Sequence, residues 1–323
     1  MHKLIAIIAG EPNSISSEII FKSWKLREKY KHKQIIIIGS YDLLKLQQKK
    51  LKYKLLIKKI DKKLNIKNFK KDILYVYDIK YKQKKAFQKI NSNSNKYIFN
   101  CFDAALFLIN KKKITGIINC PISKENLFKH RYQGITEFLS IKSGNLGNEV
   151  MLIFNRKLSV SPLTTHIDLK KVSKNINKNK IITKIKTINA FYKKNFLKKP
   201  NFGILGLNPH NYSESKNNSE LKIISSAIRD IKKLKIKVIG PLSPDTSFML
   251  TKKYKLDVIF GMYHDQVLTP FKALFNYSAI NITLGLPYFR LSPDHGVAEN
   301  IVGKNLANPR SLIECIKFFN LIK

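Results

Sequence analysis

The chain reads as an α/β protein of two domains with largely parallel sheets flanked by helices. Three observations carry that reading. Short β-branched runs alternate with longer amphipathic stretches, 44% of the residues are hydrophobic, and 323 residues suffice for one large or two medium domains with a substantial core. Strands separated by helices imply parallel pairing with both faces of the sheet covered.

In chain order, strands are predicted at 3–9 (KLIAIIA), 33–40, 72–79, 114–120, 150–155, 158–166, 201–210, 235–245, 256–265 and 279–285. Helical periodicity marks Ser17 to Tyr30, Leu169 to Tyr192 and Ser219 to Leu234. Gln47 to Lys71 is a lysine-laden stretch of low complexity and reads as a solvated face, and NSNSN (91–95) reads as a turn. No G-x-G-x-x-G follows any strand, so a Rossmann nucleotide site has no support. The domains are expected at 1–130 plus 286–323 on the cofactor side, and at 131–285 for metal, substrate and dimerisation.

The charge is extreme, with 61 Lys+Arg against 21 Asp+Glu and a formal net charge of +40. It does not point to nucleic acid. Arginine occurs only at Arg27, Arg131, Arg156, Arg229, Arg290 and Arg310, whereas readers of phosphate and bases use arginine forks. The lysines are spread among Ile and Asn residues, which looks like the mark of an AT-rich coding genome, and a non-enzymatic polyanion-binding protein is the alternative that the charge alone supports. Cys101, Cys120 and Cys315 lie far apart and form no CxxC, which suits a reducing cytoplasm without disulfides or a zinc ribbon. LIAIIAG is too short for a signal core and lacks a cleavage pattern, and no apolar run reaches the roughly 18 to 20 residues of a membrane span.

The histidines carry more information than the charge. His166 closes SPLTTH, His210 closes LGLNPH and His264 follows VIFGMY, each just after an apolar strand-like run. Ligands of parallel α/β sheets bind at the carboxyl ends of strands, so three imidazoles there can converge on one divalent cation with an open position. Any one of them alone is better explained as a structural histidine; it is the three together, with the nearby aspartates, that bring the metal reading level. Asp245 and Asp265 also fall at strand ends. A second cluster holds Lys272, Asn281, Arg290, Asp294 and His295. An arginine kept at 290, in a chain that otherwise uses lysine, suits bidentate binding of phosphate or carboxylate, with an interface ion pair as the alternative.

These residues sit in motifs spread along nearly the whole chain: GEPNSISSEI (10–19), NCPISKE (119–125), GITEFL (134–139), PLTTH, GLNPH, GPLSPDT (240–246), GMYHDQ, NITLGLPYFR and DHGVAENIVG. Taken in this order, they resemble the 4-hydroxythreonine-4-phosphate dehydrogenase family of pyridoxal phosphate biosynthesis. The resemblance implies an NAD-dependent, homodimeric enzyme with a fold like that of isocitrate and isopropylmalate dehydrogenases and a non-Rossmann NAD site in an interdomain cleft. It implies that His166, His210 and His264 hold one divalent cation (Zn, Mg or Co), with one histidine donated across the dimer. By the same resemblance Thr136, Lys272, Asn281 and Arg290 bind the phosphorylated amino acid, while His295, Gly296 and Ala298 line the cofactor. Asp245 is then the candidate general base, with Asp265 as second choice and Lys272 as a catalytic cation. The chain departs from the family at Ile135, where histidine is usual, in its first loop, where Asn13, Ser14, Ser16 and Ser17 replace glycines, and after His210, where NYSES stands for a glycine-rich segment. Those departures leave room for a related four-carbon phosphorylated hydroxy acid, such as phosphothreonate or phosphoerythronate, as substrate.

Overall fold

The computed structural model describes residues 4–30, 34–60, 64, 69–128, 132, 134–209, 219–276, 278–294 and 296–322. The chain begins with β1 (Ile5–Ile8), α1 (Ser16–Lys25), β2 (Ile35–Gly39), α2 (Tyr41–Lys50), β3 (Leu56–Lys59), β4 (Ile73–Asp78), α3 (Asn95–Asn110), β5 (Gly116–Asn119) and α4 (Lys124–Phe128). It continues through α5 (Ile135–Lys142), β6 (Val150–Phe154), β7 (Ser159–Pro162), α6 (Lys178–Phe196), β8 (Phe202–Leu205), α7 (Ser219–Lys233) and β9 (Val238–Leu242). Last come β10 (Val258–Gly261), α8 (His264–Phe275), β11 (Ile280–Leu284), β12 (Phe289–Pro293) and α9 (Arg310–Leu321). Two compact units result, Met1–Phe138 with Pro287–Leu321 and Leu139–Leu286 with Ile322–Lys323.

In the first unit the strands lie in the order β3-β4-β2-β1-β5-β12, and each pairing is parallel. Register explains why isoleucine dominates: Ile5 faces both Ile35 and Gly116, and β1, β2 and β5 are buried along their whole length. A side chain with no exposed face contributes roughly 1.5–3 kcal/mol of apolar burial, so the central strands anchor this core. The loop after β1 turns at Gly10, whose φ of +75° is easy only for glycine. A Cβ there would overlap the Pro121 carbonyl oxygen, which also accepts the Glu11 amide at 2.8 Å. Gly10→Ala is therefore expected to lower stability by about 2–4 kcal/mol. The check is the midpoint of urea denaturation, which should fall with an unchanged slope.

In the second unit the order is β11-β6-β7-β10-β8-β9. β6 runs antiparallel to β11 and β7, while β7, β10, β8 and β9 are mutually parallel. The carboxyl ends of these four strands consequently share one edge. Beneath them Val160, Leu205, Ile259, Val267 and Phe271 form a buried cluster joining the strands to α8.

Several sequence expectations need correction. Strands drawn through to His166, His210, Asp245 and Asp265 stop earlier, at Pro162, Leu205, Leu242 and Gly261, because polar turns take over. His264 accordingly opens α8 instead of closing a strand. The helix expected from Leu169 begins at Lys178. Before it, Asp168 and Asn177 accept backbone amides at 3.1 Å, from Lys170 and Lys180, and so break the segment into short 3-10 turns and a cap. The stretch from Gln47 holds the end of α2 and all of β3, whose single buried residue, Ile57, is set among outward-facing lysines, a pattern typical of a protected sheet edge. NSNSN is a 3-10 turn feeding α3, with Asn91 accepting the Asn93 amide at 2.9 Å. β12 was missed altogether. Cys101, Cys120 and Cys315 are free and buried.

Candidate active site

At the shared strand edge of the second unit, backbone bonds decide which side chains meet. The segment leaving β7 follows the segment leaving β10: the Leu163 amide donates to Gly261 O at 2.8 Å, and the Thr164 hydroxyl donates to Met262 O at 2.8 Å. This pairing brings His166 and His264 together, with ring centroids 5.7 Å apart and planes inclined at 40°. Two imidazoles on one tetrahedral cation, with metal–nitrogen bonds of about 2.0–2.1 Å, stand at roughly that separation. His264 Nδ1 lies 2.6 Å from Asp265 Oδ1. A carboxylate only accepts, so Nδ1 carries the proton and the Nε2 lone pair faces away from Asp265, free for a cation.

Gln266 ties in the third strand end. Its Oε1 accepts the Met262 amide at 2.7 Å and its Nε2 donates to Gly206 O at 2.8 Å, which fixes the start of the segment that carries His210. Ser243 then joins the β9 exit to that segment, its hydroxyl contacting both the Pro209 carbonyl oxygen and Asp245 Oδ1, the latter at 2.7 Å. His210 itself lies outside the described residues, and among those described no group of three His, Cys, Asp or Glu side chains is placed to hold a metal. The scaffold fits a divalent cation on its imidazole donors and on the tautomer that Asp265 enforces. Gln266 was not singled out from sequence, although it completes GMYHDQ, because glutamine carries no metal or proton chemistry of its own.

Also in the second unit, Lys272 is an exposed residue of α8. Asn281 on β11 has a buried Oδ1 that finds no hydrogen-bond donor among the described residues. A buried amide oxygen left without a partner costs about 1–3 kcal/mol, which a ligand N–H or O–H would recover.

The first unit carries an anion-attracting cluster. β12 pairs with β5 so that Arg290 lies opposite Ile117, and its side chain is 2% exposed. Nε donates to Asn119 Oδ1 at 2.7 Å and Nη1 to Thr136 Oγ1 at 3.4 Å. Burial pulls the guanidinium pKa down to about 10. Lys124, at the start of α4, is also lowered, by burial first and by the Arg290 charge second. Ile135 fills the neighbouring position in the core at 5% exposure.

The residues expected at the cofactor fall in the same unit. His295 is outside the described residues. Gly296 has open space where a Cβ would stand, and the left-handed residue of this segment is Ala298, at φ +50°. The loop after β1 packs against it, the Ile15 amide donating to Val297 O at 3.3 Å. Hydroxyls give that glycine-poor loop its order: Ser14 Oγ donates to Glu11 O at 2.7 Å and lies 2.7 Å from the Ser16 hydroxyl. Burial raises the Glu11 carboxyl, opposed by hydrogen bonds from Asn13 and Ser94, while nearby Glu299 raises it further. Open backbone at Gly296 beside an ordered loop suits the approach of a dinucleotide.

With this geometry in place, known proteins can be compared. The sequence model described as pyridoxal phosphate biosynthetic protein PdxA matches residues 31–319. A curated relative from Sulfurihydrogenibium sp., named 4-hydroxythreonine-4-phosphate dehydrogenase, is 37% identical over 99% of this chain and 98% of its own. A D-threonate 4-phosphate dehydrogenase from Salmonella typhimurium is 30% identical over 98% of this chain and 97% of its own. The solved 4-hydroxythreonine-4-phosphate dehydrogenase of Klebsiella pneumoniae superposes with a TM-score of 0.84 at 27% identity, covering 99% of this chain and 100% of that one. A match spanning both units identifies the chain as a member of the PdxA family of pyridoxal phosphate biosynthetic proteins.

Proposed function

We propose that the protein oxidises 4-phosphooxy-L-threonine with NAD to 2-amino-3-oxo-4-phosphooxybutanoate, which loses carbon dioxide to give 3-amino-2-oxopropyl phosphate. It acts as a cytoplasmic homodimer with a divalent cation on His166, His210 and His264. The observation that carries this reading is the meeting of His166 and His264 at adjoining strand ends, with Asp265 fixing the tautomer of His264. When bound, the cation supplies Lewis acidity to a substrate hydroxyl and the nicotinamide accepts the hydride. Asp245, steadied by Ser243, takes the hydroxyl proton. Arg290 and Thr136 bind the phosphate, while Lys272 and Asn281 hold the remaining polar groups of the substrate. Gly296, Ala298 and His295 lie along the cofactor. Among the described residues no helix is long and apolar enough to cross a membrane.

A second reading, oxidation of D-threonate 4-phosphate, draws on the Salmonella relative and on Ile135, which removes an imidazole from the substrate side. The test is NADH formation from each substrate with added Zn²⁺, Mg²⁺ or Co²⁺. Metal-dependent turnover with kcat/KM at least tenfold higher for 4-phosphooxy-L-threonine is expected. The reverse preference would replace the first reading with the second, and no turnover of either would overturn both.

A further inference from the structure

In the first unit, α1 grips the segment that follows β12 at both ends. At one end the amide of Ile15, the residue before the helix, donates to Val297 O at 3.3 Å. At the other, Glu18 Oε1 accepts the Ala307 amide at 2.6 Å, while Lys22 Nζ donates to Asn305 O at 2.8 Å and to Ala307 O at 2.7 Å. Glu18 and Lys22 stand one helical turn apart and pair with each other at 2.9 Å. An ammonium has three hydrogens, and Lys22 directs them at Glu18, Asn305 and Ala307. Tyr53 adds a bond from another element, its hydroxyl donating to Asn305 Oδ1 at 2.7 Å. The stretch held between the two grips, 297–307, contains Ala298, one of the residues placed at the cofactor.

This clamp is more than packing requires. Glu18 is 0% exposed, and its Oε2 finds no hydrogen-bond partner among the described residues. A buried ion pair adds little net stability over an apolar pair of the same volume, and its better-attested use is to impose one conformation. The segment needs that imposition. Ala298 and Asn305 hold φ angles of +50° and +61°, a left-handed conformation that L side chains adopt at a cost and keep only where their surroundings enforce it.

We infer that Glu18 and Lys22 are positioning residues for the dinucleotide, an ion-paired clamp on α1 that sets 297–307 in its binding shape before the cofactor arrives. They act through the segment and not on the reacting atoms. When only a fraction of the molecules holds the competent loop, apparent affinity falls by that fraction. The clamp therefore governs cofactor affinity and leaves the chemistry of the bound complex alone. The inference rests on the proposed placement of NAD along Gly296 and Ala298.

The test is calorimetric titration of NADH into the full-length protein and into Lys22→Met, Glu18→Gln/Lys22→Met and Lys25→Met, with steady-state kinetics beside it. The double variant leaves no unpaired buried charge, so it serves where the single variant fails to fold. Lys25 is an exposed lysine in the last turn of the same helix, and its removal lowers the charge of the chain equally while leaving the clamp in place. Loss of the clamp is expected to raise Kd and KM for the dinucleotide about tenfold, with kcat and the KM for the phosphorylated substrate within about twofold of wild type. Lys25→Met should match wild type, and amide exchange across 297–307 should quicken only in the clamp variants. Unchanged NADH affinity in the double variant, with the segment loosened or not, would overturn the inference, as would an equal loss of affinity in Lys25→Met. Wild-type protein that binds no NADH would sink the cofactor placement and the inference together, an outcome distinct from NADH binding that ignores the clamp.

Discussion

His264→Ala is expected to lower kcat/KM by about 10³-fold or more, with loss of stoichiometric metal and with the fold intact. The imidazole projects from the first residue of α8, 32% of its side chain is exposed, and its partner Asp265 is 79% exposed. Deleting it therefore opens no core cavity, and the helix keeps its packing through Val267 and Phe271, both at 0% exposure. On the proposed reading, what disappears is one of the donors that would position the cation and, with it, the acidity it would lend the substrate hydroxyl. Asp265→Asn should have a smaller effect, about 10- to 100-fold in metal affinity, as expected when the group orienting a ligand is weakened while the ligand remains. Metal content by mass spectrometry, thermal melting and NADH formation together decide the matter. Full metal retention in His264→Ala with unimpaired turnover would remove the histidine cluster from the mechanism.

This centre was half legible in the sequence. The histidines after SPLTTH and VIFGMY could be read because parallel sheets gather their functional residues at carboxyl strand ends, and β7 and β10 turned out to be neighbours. Strand order, by contrast, is not written in hydrophobic periodicity. That Thr164 would be bonded to Met262, and Gln266 to Gly206, follows from tertiary pairing that no local pattern announces. β3 escaped for a compositional reason, since one buried isoleucine among lysines looks like any solvated segment of this chain. β12 escaped for a functional one: Arg290 and Pro293 lie in a strand whose residues had been read as binding groups.

Arg290 makes the sharpest separation between stability and function. A pKa pulled down to about 10 from the ordinary guanidinium range means that burial penalises the charged form by roughly 3 kcal/mol. Below pH 10 both folded and unfolded chains hold this proton, so the penalty is constant through the neutral range. As pH rises above about 10 the unfolded chain binds the proton more tightly than the folded one, and the contribution of this group to stability improves. Arg290→Met removes the buried charge but leaves Asn119 Oδ1 without the Nε donor, a loss of about 1–3 kcal/mol. The two effects nearly cancel, and the melting temperature should shift by only a few degrees. Turnover has no such compensation. A charged hydrogen-bonding partner of a bound anion is worth about 3–5 kcal/mol, so kcat/KM should fall about 10²- to 10⁴-fold in Arg290→Met. Arg290→Lys should recover only part of it, because the ammonium restores charge without the planar fork. Retention of kcat/KM within tenfold in Arg290→Met would show that the guanidinium serves the fold alone; collapse of the melting transition together with activity would show the same. A stable, inactive Arg290→Met protein is the outcome expected if a costly buried cation is kept in this core for the anion it binds.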